Sequence, residues 1–265
     1  MVKNIAIVSL SSGTIGEAFA AHEVEIGIRR LKEYGLNVIM MPHAQKGIEY
    51  VKNHPEDRAK DLLQAFSDDS IDMILCAIGG DDTYRLLPYL FEHKELQKAL
   101  NKKIFLGFSD TTVNHLMLHK LGLNTFYGQS FLADICEMDH EMLPYTATYF
   151  EELIRTGKIA KIEPSDVWYE ERTGRLLQSA RREPHIQTKA FCCCREVLFF
   201  REKFSVAVWK CCMIFSITAA TQTQFRCVKS MSCFRQRRTG QEKFCFWKPA
   251  KSSQCRSCTE KWFRR

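Results

Sequence analysis

Past residue 173 the chain runs out of the residues that loops are built from. Gly240 is the only glycine in residues 175–265, no Asp follows Asp166, no Tyr follows Tyr169 and no Asn follows Asn124. A folded domain deprived of Gly, Asp and Asn together lacks the usual chemistry of tight turns. Acidic charge is scarce there as well. Residues 174–265 hold 20 Lys and Arg against 5 Asp and Glu, whereas residues 1–173 hold 18 against 26. Cysteine shows the reverse imbalance: only Cys76 and Cys136 fall in the first part, and ten crowd between Cys192 and Cys258. Two cysteines exclude a disulfide framework for the first part and suit a reducing compartment. The chain also lacks a charged-then-apolar leader, because it enters a strand pattern at once with Ile5-Ala6-Ile7-Val8, so a cytoplasmic protein is expected. Residues 205–220 are fairly apolar but contain Lys210 and fall short of the ~20 residues that a membrane span needs.

The first part carries a clear pattern. Strand candidates recur at residues 5–8, 38–41, 73–78, 104–106 and 125–127. Helical stretches fall between them, at about residues 20–34, 55–66 and 111–121. This alternation predicts an α/β fold with a parallel sheet and right-handed crossovers. A stretch of this size, ~170 residues, can enclose one hydrophobic core.

Two strand ends carry loops that look functional. The apolar run Ile104-Phe105-Leu106 leads into Gly107-Phe108-Ser109-Asp110, and a helix with Val113, Leu116, Met117 and Leu121 at helical spacing follows. A serine on a sharp strand-to-helix turn exposes its hydroxyl and leaves the next backbone N–H free to stabilise an oxyanion. Ser109 or Asp110 can equally cap that helix, since the pattern is not the Gly-x-Ser-x-Gly of most nucleophile elbows. The second loop, Gly79-Gly80-Asp81-Asp82-Thr83, ends the continuous apolar run of residues 73–78. Its glycines allow close backbone approach to a ligand, and open parallel sheets bind ligands outside their carboxyl strand ends.

These stretches carry a resemblance. Residues 78–88 with their Gly79-Gly80-Asp81-Asp82 core, together with Gly107-Phe108-Ser109-Asp110-Thr111-Thr112, closely resemble the LD-carboxypeptidase family of serine peptidases. Ser9-Leu10-Ser11-Ser12-Gly13, His54-Pro55-Glu56-Asp57-Arg58-Ala59 and Tyr127-Gly128-Gln129 fit the same family. The acidic Gly-Gly-Asp-Asp is similar to its microcin-immunity branch. The resemblance covers about residues 3–171 and implies an amidotransferase-like or flavodoxin-like α/β domain over residues 1–171. It implies Ser109 as nucleophile, with backbone N–H groups of Asp110 and Gly80 as the oxyanion hole, and Gly79, Asp81 and Asp82 in the substrate-binding loop. It further implies hydrolysis of small peptides or peptide-like conjugates, such as murein peptides or aminoacyl-nucleotides. No metal or other cofactor would take part, and the protein would form a homodimer. The family's triad is completed by a glutamate and a histidine on a C-terminal domain, since a serine hydroxyl is a weak nucleophile without a base.

Residues 172–265 do not supply that domain in frame. Reading triplets from the third base of the codons for Ser205 to Met213 can give Gly-Gly-Cys-Leu-Glu-Met-Leu-Tyr-Asp. The glutamate is forced, because Trp209 followed by Lys210 yields GAA in that frame. This recovered stretch resembles the family's motif around its catalytic glutamate. Residues 189–195 can likewise yield Gly-Phe-Leu-Leu-Leu-Gln-Gly. A frame slip near residues 174–179 is therefore expected, leaving the C-terminal domain corrupted or disordered. The triad glutamate is absent in frame, the family's late histidine is expected beyond Arg265, and His185 has no matching context. The expected consequence is an inactive member of the family.

Other readings of the residues carry less. Cys255-x-x-Cys258 with Cys192, Cys193, Cys194 and His185 lacks the second pair of a structural zinc site. The basic run of residues 235–238 sits in sequence without a fold pattern, so no nucleic-acid partner is expected. His115 and His119 are four apart on one helix but lack the Glu of His-Glu-x-x-His, which favours packing or surface roles. Asp81 and Asp82 can contact a cationic part of a substrate or cap the helix from Thr83. Arg85 and Glu56 read as solvated helix charges. A non-catalytic small-molecule-binding α/β protein remains the alternative function.

Overall fold

The computed structural model describes residues 1–169 and the strand Pro184–Ile186. Five strands form one parallel sheet: β1 (Asn4–Val8), β2 (Asn37–Met40), β3 (Met73–Cys76), β4 (Ile104–Gly107) and β5 (Phe126–Tyr127). Their spatial order is β2-β1-β3-β4-β5, with Ile7 opposite Met40 and Leu75, and Leu75 opposite Leu106. This is the flavodoxin-like order, whose direction of winding reverses between β1 and β3.

The helices are α1 (Ala21–Glu33), α2 (Ile48–Asn53), α3 (Pro55–Ser67), α4 (Leu87–Phe91), α5 (Glu95–Ala99), α6 (Thr112–Lys120) and α7 (Pro144–Thr156). β3 is buried throughout, as a central strand covered on both faces must be. Ile5, Ile7, Leu62, Phe66, Ile74, Phe105 and Phe150 are fully enclosed and join the two layers of helix to the sheet in a single core. Amphipathic spacing explains the inward faces. In α3, Ala59, Leu62, Ala65 and Phe66 point to the core, and Pro55 occupies the first turn, where its missing N–H costs nothing.

The expected alternation holds, with small differences at the ends. β3 stops at Cys76 rather than residue 78, where the chain leaves the sheet for the Gly79 loop. The helix expected from residue 111 begins at Thr112, after a single 3-10 turn over Ser109–Thr111. Beyond α7 a short strand, β6 (Val167–Tyr169), pairs antiparallel with β7 (Pro184–Ile186). Cys192 to Cys194, Cys255, Cys258 and residues 205–220 and 235–238 lie outside the described residues, as does most of the segment 172–265. Among the described residues no helix is long and apolar enough to cross a membrane.

Candidate active site

The carboxyl ends of β1, β3 and β4 converge, and the site is assembled from the three loops that leave them. Ser109 follows β4 directly. It is exposed and has φ +59°, a left-handed conformation rare for a residue with a side chain. Such strain persists only where the surroundings fix it, and here every neighbouring carbonyl is held. Gly107 O accepts from Gly128 N (3.1 Å) and from His115 Nε2 (3.1 Å), Phe108 O from Thr111 Oγ1 (2.8 Å), and Ser109 O from Thr112 Oγ1. Ser109 N donates to the Tyr127 hydroxyl at 3.1 Å, so this amide is engaged from β5. No side-chain capping bond is made at the start of the turn or of α6. Of the two readings offered for Ser109, the exposed turn is the one the geometry realises.

His115 is a packing residue, one of the two roles expected of it without the Glu of His-Glu-x-x-His. It is 7% exposed and edge-on to Phe105. Because Gly107 O can only accept, Nε2 carries the proton and Nδ1 accepts from Thr125 Oγ1 at 2.7 Å. Burial holds the imidazole neutral, pushing its pKa down to about 4. His119 is exposed on the far turn of α6.

The Gly79-Gly80 loop lies directly against the serine. A Cβ on Gly79 would sit 2.8 Å from Ser109 Cβ, 3.0 Å from Ser109 Oγ and 3.4 Å from Asp110 N. A Cβ on Gly80 would meet Ser11 Oγ of the β1 loop at 2.2 Å. Both glycines are therefore required by close approach rather than by a special φ. Asp110, 6% exposed, turns its carboxylate inward. Its Oδ2 accepts from Ser11 Oγ (2.6 Å) and from Thr83 N (2.9 Å). Burial pushes this carboxyl upward, and the nearby Asp82 and Asp81 push in the same direction.

Asp81 and Asp82, treated together in the sequence, have different surroundings. Asp81 is exposed on the loop. Asp82 makes no capping bond; its carboxylate pairs with Arg58 Nη1 at 2.7 Å and with Arg85 at 3.3 Å. Arg58 is 1% exposed and also donates to the carbonyls of Leu10 and Ser11, tying the β1 and β3 loops together. Sequence reading missed this role for Arg58, although a lone Arg on the apolar face of α3 was a usable signal. Arg85, read as a solvated charge, also donates to Lys52 O. Glu56 pairs with His54 at 2.9 Å. Ligand atoms of His54, Glu56 and Asp57 lie within 4.8 Å of one another. Asp57 is already bound there by the Tyr50 hydroxyl and Lys60, which hold its carboxyl down at about 2. Among the described residues, no histidine shares a hydrogen bond with Ser109.

Residues 5–128 match the model of the LD-carboxypeptidase N-terminal domain. A crystal structure of an MccF-like protein from Streptococcus pneumoniae in complex with AMP superposes with a TM-score of 0.70 at 67% identity, covering 71% of this chain and 55% of that one. A Bacillus subtilis protein named "Probable murein peptide carboxypeptidase" is 32% identical over 134 residues, 50% of this chain and 40% of that protein. The microcin C7 self-immunity protein MccF of Escherichia coli is 30% identical over 112 residues, 42% of this chain and 32% of its own length. The chain spans about two fifths of the length of several curated carboxypeptidase relatives. Residues 5–128 thus carry an LD-carboxypeptidase N-terminal domain, and MccF-like proteins are among the relatives of this stretch.

Proposed function

We propose that the intact relative of this chain is a serine-type carboxypeptidase or amidase acting on small peptides or peptide-like conjugates, murein peptides and microcin-type aminoacyl-nucleotides being the two candidate classes. Ser109 is the nucleophile, and the Asp110 and Gly80 N–H groups receive the oxyanion. Asp81 faces the substrate from the same loop as Gly79 and Asp82. The observation that carries this reading is the exposed Ser109 at φ +59° on the β4–α6 turn, packed against Gly79. The AMP in the S. pneumoniae MccF-like structure supports a nucleotide-bearing conjugate, and the name of the B. subtilis relative supports a murein peptide.

We propose further that residues 1–171 are the N-terminal domain of this enzyme and residues 172–265 a frame-shifted remnant of the C-terminal one. The base and its orienter are then missing, and the chain as written is inactive. The engagement of both His115 nitrogens supports this, because the histidine nearest to Ser109 in sequence has no free acceptor to offer as a base. The same observation favours the second reading, a non-catalytic small-molecule-binding module. Sequencing the gene across the codons for Thr173 to Ala180 tests the frame slip. A lost or gained base there, restoring Gly-Gly-Cys-Leu-Glu downstream, is expected; an unbroken frame in an independently sequenced gene would remove the basis for it. A serine-reactive phosphonate separates the two functions in the restored protein. Labelling at Ser109 supports the hydrolase, whereas ligand binding without labelling supports the module.

A further inference from the structure

We propose that the Asp110 side chain is a positioning group, locking the β1 and β3 loops onto the Ser109 turn so that the arrangement of loops around the serine exists before any ligand arrives. The proposal rests on the nucleophile reading of Ser109 and goes beyond it, since Asp110 enters that reading only through its backbone N–H.

Three loops meet at one carboxylate oxygen. Asp110 belongs to the β4 turn, Ser11 to the loop after β1, and Thr83 to the far end of the Gly79-Gly80 loop after β3. Ser11 and Thr83 both donate to Oδ2, from 99 and 27 residues away in sequence. Thr83 is fastened a second time, because its hydroxyl bonds to Leu10 O at 2.9 Å and to Asn114 Oδ1 of α6 at 2.9 Å. The two donors thus come from the two loops that the glycines press against the site. Gly80 lies on Ser11, and Gly79 lies on Ser109. Without the carboxylate, Ser11 Oγ and Thr83 N would each lose a charge-assisted partner in a buried place. The Gly79-Gly80-Asp81 segment between β3 and Thr83 would then be free to lift from Ser109. A buried acid next to two other carboxylates costs folding energy, so a residue retained there for fold alone would be better replaced by an apolar one.

Both bonds fall on the same oxygen, which makes Asp110→Asn a conservative control: the amide oxygen can take both, while Asp110→Ala can take neither. The experiment is amide hydrogen exchange on the full chain, comparing wild type with the two variants. A parallel measurement follows the rate of Ser109 adduct formation with a fluorophosphonate by mass spectrometry in the frame-restored protein and its Asp110 variants, with Ser109→Ala as background. In Asp110→Ala, exchange at Thr83 and across Gly79 to Asp82 is expected to rise about tenfold or more, the worth of a charge-assisted bond. Exchange in Met73 to Cys76 of β3 should stay at the wild-type rate. Asp110→Asn should restore protection, and adduct formation should follow the same order.

Unchanged exchange at Thr83 in Asp110→Ala would overturn the proposal. So would exchange that rises equally in β3, which marks a group holding the whole fold rather than the loops. Restored protection in Asp110→Asn without restored adduct formation would overturn the link between locking and reactivity. Absence of adduct above background in the frame-restored protein would count against the nucleophile reading instead, with the exchange comparison on the full chain still deciding the locking role.

Discussion

Replacing His115 by Gln should change how the stability of the fold depends on pH, by an amount the structure sets. His115 is neutral in the folded chain because protonating Nδ1 would place a charge beside Phe105 with only the Thr125 hydroxyl near it. Its pKa is about 4 in the fold against 6.5 for the ordinary imidazole. Between those values the unfolded chain binds a proton that the folded chain refuses, so the neutral ring's contribution is full above pH 6.5 and is lost as the pH falls towards 4. At about 1.4 kcal/mol per pH unit the loss comes to about 3 kcal/mol. Asp134 acts in the opposite direction. Burial raises its carboxyl to about 6 from 3.8, so acidification below pH 6 relieves a charge that the fold disfavours. The two effects offset each other between pH 6 and 4, and the wild-type curve alone is therefore a poor readout. The difference between wild type and His115→Gln, from urea unfolding followed by circular dichroism at pH 7, 6, 5 and 4, isolates the histidine. Wild type should lose about 3 kcal/mol relative to the variant over that range. Parallel stability curves for wild type and His115→Gln would refute the buried neutral ring beneath the serine turn.

Gly79→Ala puts a methyl group 2.8 Å from Ser109 Cβ; about 1–3 kcal/mol of stability should be lost in urea unfolding, and in the frame-restored protein the rate of phosphonate adduct formation at Ser109 should drop. Arg58→Ala removes the buried partner of Asp82 and the donor to Leu10 O and Ser11 O. It should cost about 3–5 kcal/mol, read from the urea midpoint, because a partly buried carboxylate is left without its closest cation. Tyr127→Phe deletes the acceptor of Ser109 N–H and should slow adduct formation at Ser109 in the frame-restored protein while moving the thermal midpoint little, since the half-exposed ring keeps its place against His115.

The parts legible in the sequence were those governed by short-range pattern. Continuous apolar runs gave the buried strands, and Gly107 with the following helix signal placed Ser109 on a turn. α7 was not anticipated, although Pro144 in its first turn and Gly157 at φ +70° just past its end are ordinary start and stop signals. Its inward residues Phe150, Leu153 and Ile154 form only a short stripe within a mixed stretch, which is why periodicity alone passed it over. Long-range partners were invisible in principle. Asp82 meets Arg58 across 24 residues, and Asp110 meets Ser11 across 99. No local rule distinguishes Asp81 from Asp82 or assigns the Asp110 side chain a task, because those distinctions arise only when the ends of β1, β3 and β4 are brought side by side. The reading-frame expectation is of another kind, since it rests on codons and composition rather than on packing.

Amide hydrolysis by three proteins, on one panel of murein peptides and aminoacyl-nucleotide conjugates, tests the central claim most directly: the chain as written, the frame-restored chain, and the frame-restored chain with Ser109→Ala. Expected are no appreciable Ser109-dependent cleavage by the first, recovered cleavage by the second and its loss in the third, because the proposal puts the nucleophile and oxyanion donors in the first half and the base and its orienter outside the chain as written. Robust Ser109-dependent turnover by the uncorrected chain would contradict the claim that residues 172–265 are catalytically empty, and cleavage that survives Ser109→Ala in the restored protein would contradict the serine mechanism itself.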